Sequence, residues 1–123
     1  MLGECRPIAF ITTADPKRSR VFYQEVLGLH FVADEPYALV FRAGGIMLRV
    51  AKAQEVVVAP YTVLGWDVPD IQAAVDDLTA RGVAFERFPG MDQDKSGIWT
   101  SPSGARICWF KDPDGHMLSL TQF

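Results

Sequence analysis

The residues of this chain that could do chemistry are few, and they do not gather into a catalytic set. Cys5 and Cys108 stand far apart, and neither has a partner at the spacing of a zinc site. A buried or edge thiol is expected for each rather than a catalytic one, because free cysteine usually behaves as a small hydrophobic residue. His30 begins a predicted strand and His116 follows a turn, so both imidazoles are expected at the surface. These four residues therefore predict no metal chelate.

Aromatic and charged side chains offer binding chemistry instead. Trp99 and Trp109 could stack on a planar ring, and Arg49 could hold a carboxylate through a forked pair of hydrogen bonds. The alternative for both tryptophans is that they fill space between two sheets or lie at a dimer contact. Asp67 is the one candidate for a general base, a role that requires hydrogen-bond reach to the proton it removes.

The elements that must position these residues follow a repeated pattern, a strand that leads into an Asp-capped helix. Residues 8–15 read IAFITTAD and residues 63–70 read VLGWDVPD, so each run ends in an Asp suited to a helix N-cap. Pro16 is a favourable first helical residue. Gly28 and Gly82 are placed to end the two helices in the positive-φ conformation.

More strands are predicted after each helix. They cover residues 29–33, 37–43 and 46–50 in the first half, and residues 83–87, 97–101, 105–111 and 117–121 in the second. Turn residues separate them, including Asp112-Pro113-Asp114-Gly115. The organisation is therefore two β-α-β-β-β units, with module one at residues 6–50, a linker at 51–61 and module two at 62–123.

Bulk properties set limits on the function. The 123 residues, 49% of them hydrophobic, are enough for one globular chain with a real core. A net charge of −3 argues against general nucleic-acid binding, which needs a basic surface. No apolar run is long enough to cross a bilayer, and the first residues lack a signal-peptide pattern. We therefore expect a cytoplasmic protein with no membrane or nucleic-acid partner.

The chain resembles the vicinal oxygen chelate superfamily, which groups glyoxalase I, extradiol dioxygenases, methylmalonyl-CoA epimerase, fosfomycin-modifying enzymes and bleomycin-resistance proteins. The resemblance is carried by the two strand-to-Asp steps, by Val21-Phe22-Tyr23 with Val26-Leu27-Gly28-Leu29, and by Asp112-Pro113-Asp114-Gly115. It covers nearly the whole chain. It implies an α+β fold in which tandem βαβββ modules form curved mixed sheets around a cavity.

In metal-dependent members of this superfamily, inward-facing side chains from both modules hold the metal. The resemblance places these ligand positions at Ile8, Val63 and Ser119, with Met47 or Arg49 at the remaining one. Divalent metals of this kind need imidazole nitrogens or carboxylate oxygens, and these side chains supply neither. The resemblance, read residue by residue, therefore implies no metal and no cofactor for this chain.

The same resemblance, with period-two counting along each strand, predicts which residues line the cavity. Ile107, Trp109 and Lys111 are expected to face inward, with Cys108 and Phe110 directed toward the helix. Gly65 and Asp67 share the inward parity of Val63, and Thr121 that of Ser119. The predicted ligand-binding residues are Phe10, Thr12, Met47, Arg49, Asp67, Trp109, Lys111 and Ser119.

Two functions remain open from the sequence. The first is a metal-free small-molecule-binding protein of the glyoxalase/bleomycin-resistance type, whose ligand is an apolar or aromatic compound with polar handles. The alternative is a glyoxalase-like lyase or isomerase, with a rearranged metal site or with Asp67 as a metal-free base. The resemblance also implies a homodimer, and residues 56–58, all valine, are candidates for the contact. Residues 90–97 are expected to be the most mobile segment, either a flap over a cavity or a plain hairpin loop.

Overall fold

Each half of the chain begins with a strand that runs into a capped helix, as the sequence predicts. A computed structural model describes all 123 residues. Strand β1 (Ile8–Thr13) precedes Asp15, whose carboxylate accepts from the Arg18 amide at 3.3 Å. Strand β5 (Thr62–Asp67) precedes Asp70, whose carboxylate accepts from the Ala73 amide at 3.0 Å. Both caps satisfy amides that the first helical turn leaves free.

The two helices differ in length and in regularity. Helix α1 (Pro16–Val21) continues as a π-helical turn over Phe22–Val26, whereas α2 (Ile71–Ala80) is regular throughout. After the π-helical turn, the chain leaves the helix at Gly28, whose φ of 76° suits glycine as predicted. The π-helical turn places Tyr23 in the core, where its ring lies 5.8 Å from that of Phe41.

The first sheet contains β1, β2 (His30–Asp34), β3 (Ala38–Ala43) and β4 (Ile46–Lys52) in the order β1-β4-β3-β2. Strands β1 and β4 are parallel, and the other pairs are antiparallel. One face packs on the helix and is buried through residues such as Ile11, Phe41 and Leu48. The other face carries Ile8 and Phe10, which are 50% and 66% exposed. The alternation predicted for β1 is therefore confirmed.

The second sheet repeats this plan with β5, β6 (Trp99–Thr100), β7 (Arg106–Lys111) and β8 (Met117–Gln122) in the order β5-β8-β7-β6. Cys108 and Phe110 are fully buried on the side of α2, as the resemblance implied. Trp109 and Lys111 alternate with them and therefore lie on the opposite, open face. In both sheets the helix-facing side is buried, while the opposite side carries exposed residues such as Phe10 and Lys111.

The outer edge of the second sheet departs from the prediction. Residues 83–87 do not form a strand, and only Phe85 bridges Phe110, with the Glu86 amide donating to the Trp109 carbonyl at 2.8 Å. The Val83 amide instead donates a hydrogen bond to the Leu78 carbonyl at the end of α2. The predicted strand at 97–101 is reduced to β6. The two pieces lie along one edge of β7, so together they form a single interrupted edge strand.

The observed architecture is two mixed four-stranded sheets with few helices, which confirms the predicted α+β fold of tandem βαβββ modules. The chain divides into two compact units, Met1–Val57 and Val58–Phe123. Strand β4 extends to Lys52, so the first two residues assigned to the linker belong to a strand. No helix has both the length and the apolar character needed to cross a bilayer.

Candidate binding site on the second sheet

A cleft of about 460 Å³ opens on the second unit. Its walls come from the open face of the sheet, from the segment that precedes β5 and from the loop that interrupts the edge strand. The lining residues are Val58, Ala59, Pro60, Tyr61, Thr62, Phe88, Met91, Trp109, Lys111, Gly115 and Met117. This set is mostly apolar and aromatic, with two hydroxyls and one charged side chain. Its size and composition suit a small organic ligand.

Trp109 is the central aromatic residue of the cleft. The Phe88 ring stands at 90° to it, with the ring centroids 5.5 Å apart. Trp99 lies on the same face, because its β6 position pairs with Ile107, and its ring is 6.4 Å from Trp109. Trp99 itself is not among the lining residues. The two tryptophans are thus neighbours on the open face, and only Trp109 meets the cleft.

Lys111 is the single charged residue in the lining. Its ammonium lies 3.3 Å from a Glu86 carboxylate oxygen, and the two side chains are 52% and 30% exposed. Strand register places Lys111 opposite Met117. An ion pair this exposed is weak, because water competes for both partners. The ammonium therefore remains accessible to a ligand.

The loop at residues 88–98 is held by side-chain hydrogen bonds. The Gln93 amide group accepts from the Phe88 amide at 2.8 Å and donates to the Glu86 and Gly97 carbonyls at 3.0 and 2.9 Å. The Asp94 carboxylate accepts from the Ser96 and Ile98 amides. This bonding departs from the plain hairpin loop expected for residues 90–97. It places Met91 against the cleft.

Ser119 and Asp67 lie on the open face of the same sheet but outside the lining. Ser119 pairs with Trp109 and Gly65, and Asp67 pairs with Thr121. Thr121 is four residues along β8 from Met117, or about 13 Å at the rise of a strand. Asp67 is exposed there. The structure therefore brings Trp109 and Lys111 together and leaves Asp67 at the far end of the sheet.

The other four predicted residues belong to the first sheet. Phe10 pairs with Arg49 across the parallel β1–β4 ladder, and Thr12 lies two residues further along the same face. The Arg49 guanidinium already donates to a Glu35 carboxylate oxygen at 2.9 Å and lies 3.9 Å from the Met47 sulfur. A carboxylate ligand at Arg49 would therefore compete with Glu35. None of the four residues lines the cleft.

The positions that the resemblance assigns to metal ligands carry side chains with little or no capacity to bind a metal. Ile8 and Val63 lie at exposed positions and carry only hydrocarbon side chains, and Ser119 offers one hydroxyl. Across all 123 residues, no three His, Cys, Asp or Glu side chains come close enough together to hold a metal ion. These residues do not fit a divalent metal, which needs several nitrogen or carboxylate donors in one shell.

The two histidines behave differently. His30 is exposed at the first residue of β2, as predicted. The expectation of an exposed His116 is wrong, because that side chain is 4% exposed. Its amide donates to the Asp112 carboxylate at 2.9 Å and its carbonyl accepts from the Asp112 amide at 3.0 Å. The turn is thus closed by hydrogen bonds between Asp112 and the backbone of His116.

Burial raises the pKa of the Cys108 thiol to about 12. The thiol is therefore neutral at physiological pH and a poor nucleophile, which agrees with the packing role predicted for it. Cys5 is exposed near the N-terminus. Neither cysteine takes part in the cleft.

Several lining residues were missed by sequence reasoning. Met117 has the same parity as Ser119, so period-two counting along β8 could have found it. Tyr61, Phe88 and Met91 lie outside the strands, where no periodic signal says which way a side chain points. No local sequence pattern predicts that these three side chains meet at the cleft, because their meeting depends on how the interrupted edge folds.

Comparisons with known proteins agree with this architecture. A sequence model of the Glyoxalase/Bleomycin resistance protein/Dioxygenase superfamily matches residues 6–120. A solved member of that superfamily from Sphaerobacter thermophilus is 22% identical with a TM-score of 0.74, and the match covers 96% of each chain. No curated protein sequence matches the chain.

Two further solved structures are similar at lower identity. Lactoylglutathione lyase from Agrobacterium tumefaciens is 19% identical with a TM-score of 0.72, over 97% of this chain and 93% of that one. A glyoxalase/bleomycin resistance protein/dioxygenase from Alicyclobacillus acidocaldarius is 17% identical with a TM-score of 0.69, over 98% and 92%. At these identities the likeness establishes the shared fold, on which unrelated chemistries occur.

Proposed function

Because this chain belongs to the Glyoxalase/Bleomycin resistance protein/Dioxygenase superfamily, we propose that it binds a small organic molecule in the cleft of its second unit without a resident divalent metal. One observation carries the proposal. The cleft has aromatic and thioether walls around a single charged side chain, whereas the family's metal positions carry Ile8, Val63 and Ser119. This arrangement is chemically equipped to hold an apolar ligand and lacks the donors for a metal-bound one.

The cleft geometry supports insertion of the ligand's apolar body beside Trp109. Burial of an aromatic ring against this wall is favourable because it removes apolar surface from water on both sides. Lys111 and the hydroxyls of Tyr61 and Thr62 provide polar contacts at the rim. Binding therefore needs no covalent step and no proton transfer.

Catalysis of the glyoxalase type is the competing function. It would need Asp67 as a base or a rebuilt metal site. The exposed carboxylate of Asp67 stands outside the cleft and no cluster of metal donors is present, so no structural observation favours this function. The lyase among the similar structures shares the fold at 19% identity.

We also propose a homodimer. Val57 is 90% exposed, and Val58 beside it is exposed at the rim of the cleft. Covering these valines with a second copy would remove apolar surface from water. Light scattering coupled to size-exclusion chromatography should give twice the chain mass at micromolar concentration. A monomer mass would overturn the dimer and leave the binding site unaffected.

The test of the main proposal combines metal analysis with ligand binding. Untagged protein is incubated separately with nickel, zinc, manganese and ferrous iron, desalted, and measured for bound metal. Metal at background is expected in every case, together with saturable changes in tryptophan fluorescence when aromatic compounds are titrated. About one tightly held equivalent of metal per chain would overturn the metal-free proposal.

A further inference from the structure

We infer that the cleft selects planar aromatic ligands that carry one negative charge, with Lys111 as the anion partner and Glu86 as an internal competitor for the same ammonium. The inference rests on the proposed function, since it names the ligand class of that site. Three observations carry it: two ring walls at right angles, one charge in the lining, and a carboxylate fixed beside that charge.

The walls favour a flat ligand. With Phe88 and Trp109 at 90° and 5.5 Å between their centroids, a planar ring can stack on one of them and present its edge to the other. Both arrangements are the preferred geometries for aromatic pairs. Met91 and Met117 add thioether groups, which make favourable contacts with aromatic ring edges.

The charge in the lining favours an anion. Lys111 is the only ionised side chain among the lining residues, and the remaining polar groups are the neutral hydroxyls of Tyr61 and Thr62. A cationic ligand would be placed beside an ammonium with no carboxylate in the lining to compensate. An anionic group can accept from the ammonium, which has three N–H donors and shares only part of them with Glu86.

Glu86 is held in place beside this ammonium by its backbone. Its amide donates to the Trp109 carbonyl at 2.8 Å, and its carbonyl accepts from the Gln93 side chain at 3.0 Å. From this fixed backbone position the carboxylate reaches to 3.3 Å from the Lys111 ammonium and offsets part of its attraction for a ligand. Removal of the Lys111 charge should then lower the affinity for an anion, and removal of the Glu86 charge should raise it. A purely structural ion pair would not produce this pattern.

The experiment uses three matched probes on the full chain: 2-naphthoate, 2-naphthylmethanol and 2-naphthylmethylammonium. Dissociation constants come from calorimetry or tryptophan quenching at low ionic strength. Naphthoate should bind about fivefold more tightly than the alcohol, the upper range for a partly exposed ion pair, and the ammonium probe more weakly than both. Lys111→Gln should remove the preference for naphthoate, and Glu86→Gln should strengthen it about twofold to threefold.

Two controls complete the design. Lys95→Gln makes the same charge change on an exposed residue of the same unit outside the cleft, and it should leave the preference intact. Trp109→Leu should weaken all three probes at least about tenfold, because each loses its stacking surface. Equal binding of the three probes to the unmodified protein, or tightest binding of the ammonium, would overturn the inference and leave small-molecule binding standing. If the folded protein binds none of the probes, both the inference and the proposed function fail.

Discussion

In the first half of the molecule, β2 follows the outer edge of its sheet with only a bulge between Phe31 and Ala33, whereas the matching edge of the second half is made of two short pieces. The intervening residues 87–98 fold beside the sheet and supply Phe88 and Met91 to the cleft. Strand order and helix capping are otherwise the same in both halves. The comparison indicates that a cleft can form at a sheet edge while the strand order and the helix caps are kept.

The largest expected effect tests whether the two cores are equivalent. Phe41 and Phe110 are fully buried, one in each half, so replacement of either by Ala should lower the free energy of unfolding by about 3–5 kcal/mol. Phe10→Ala is the matched control, since Phe10 is 66% exposed, and should change it by less than about 0.5 kcal/mol. Guanidinium titrations measure all three. A loss below about 1 kcal/mol at one buried site would show that the two cores are not equivalent.

The interrupted edge should be the more fragile of the two edges. Gln93→Ala removes one accepted and two donated hydrogen bonds that hold residues 86–97. It should lower the free energy of unfolding by about 2 kcal/mol. Affinity for aromatic probes should fall with it, because Phe88 and Met91 lose their support. Gln24→Ala, which breaks one exposed bond in the first half, is the control. Unchanged hydrogen exchange at the Phe88 amide would contradict the role given to Gln93.

A smaller effect is expected at Gly65, where the second sheet has its closest packing on the open face. A Cβ at this position would lie 2.5 Å from the Ser119 hydroxyl oxygen, so Gly65→Ala forces Ser119 to move. The substitution should lower the free energy of unfolding by about 1–2 kcal/mol. The same change in a Ser119→Ala background should cost less, because the hydroxyl oxygen is gone and only the Ser119 carbonyl oxygen, 3.3 Å from the added Cβ, remains close. A double-mutant cycle measures this coupling. Additive costs would mean that Ser119 is not the obstacle.

The smallest effect is expected at Asp67. Because this carboxylate is exposed and outside the cleft, Asp67→Ala should change probe affinity less than about twofold. An enzyme that used Asp67 as its base would instead lose its turnover of hemithioacetals, diols or epoxides. Turnover assays on both proteins separate the two functions, and loss of a measurable activity would favour the lyase or isomerase.

Sequence patterns were sufficient wherever periodicity and turn chemistry act locally. The Asp caps, the glycine at the end of the first helix and the alternation along β7 were predicted residue by residue. The repetition of these signals gave the order of the two β-α-β-β-β units, and the resemblance to the superfamily supplied the fold of the sheets. Parity along β7 grouped Trp109 with Lys111, the resemblance assigned that group to the open face, and both residues line the cleft.

The errors arose where a tertiary contact competes with a local signal. Residues 83–87 have strand-like composition, but the Val83 amide completes the end of α2 and Pro89 cannot donate to a ladder. His116 was assigned to the surface because turns are usually exposed, whereas its side chain is 4% exposed in a turn whose backbone is bonded to Asp112. The position of Asp67, at the far end of the sheet from the cleft, likewise depends on strand register.

Every strand pairing in the molecule lies within Ile8–Lys52 or within Thr62–Gln122. No ladder hydrogen bond spans the segment between β4 and β5, so cleavage of the chain there would leave both sheets fully paired. New termini introduced in that segment would therefore preserve each sheet's register, and one half could be exchanged for that of a relative. A chimera joined ahead of Val58 would transfer the interrupted edge and the whole aromatic cleft together, because residues 58–61 of that segment form one wall of the cleft.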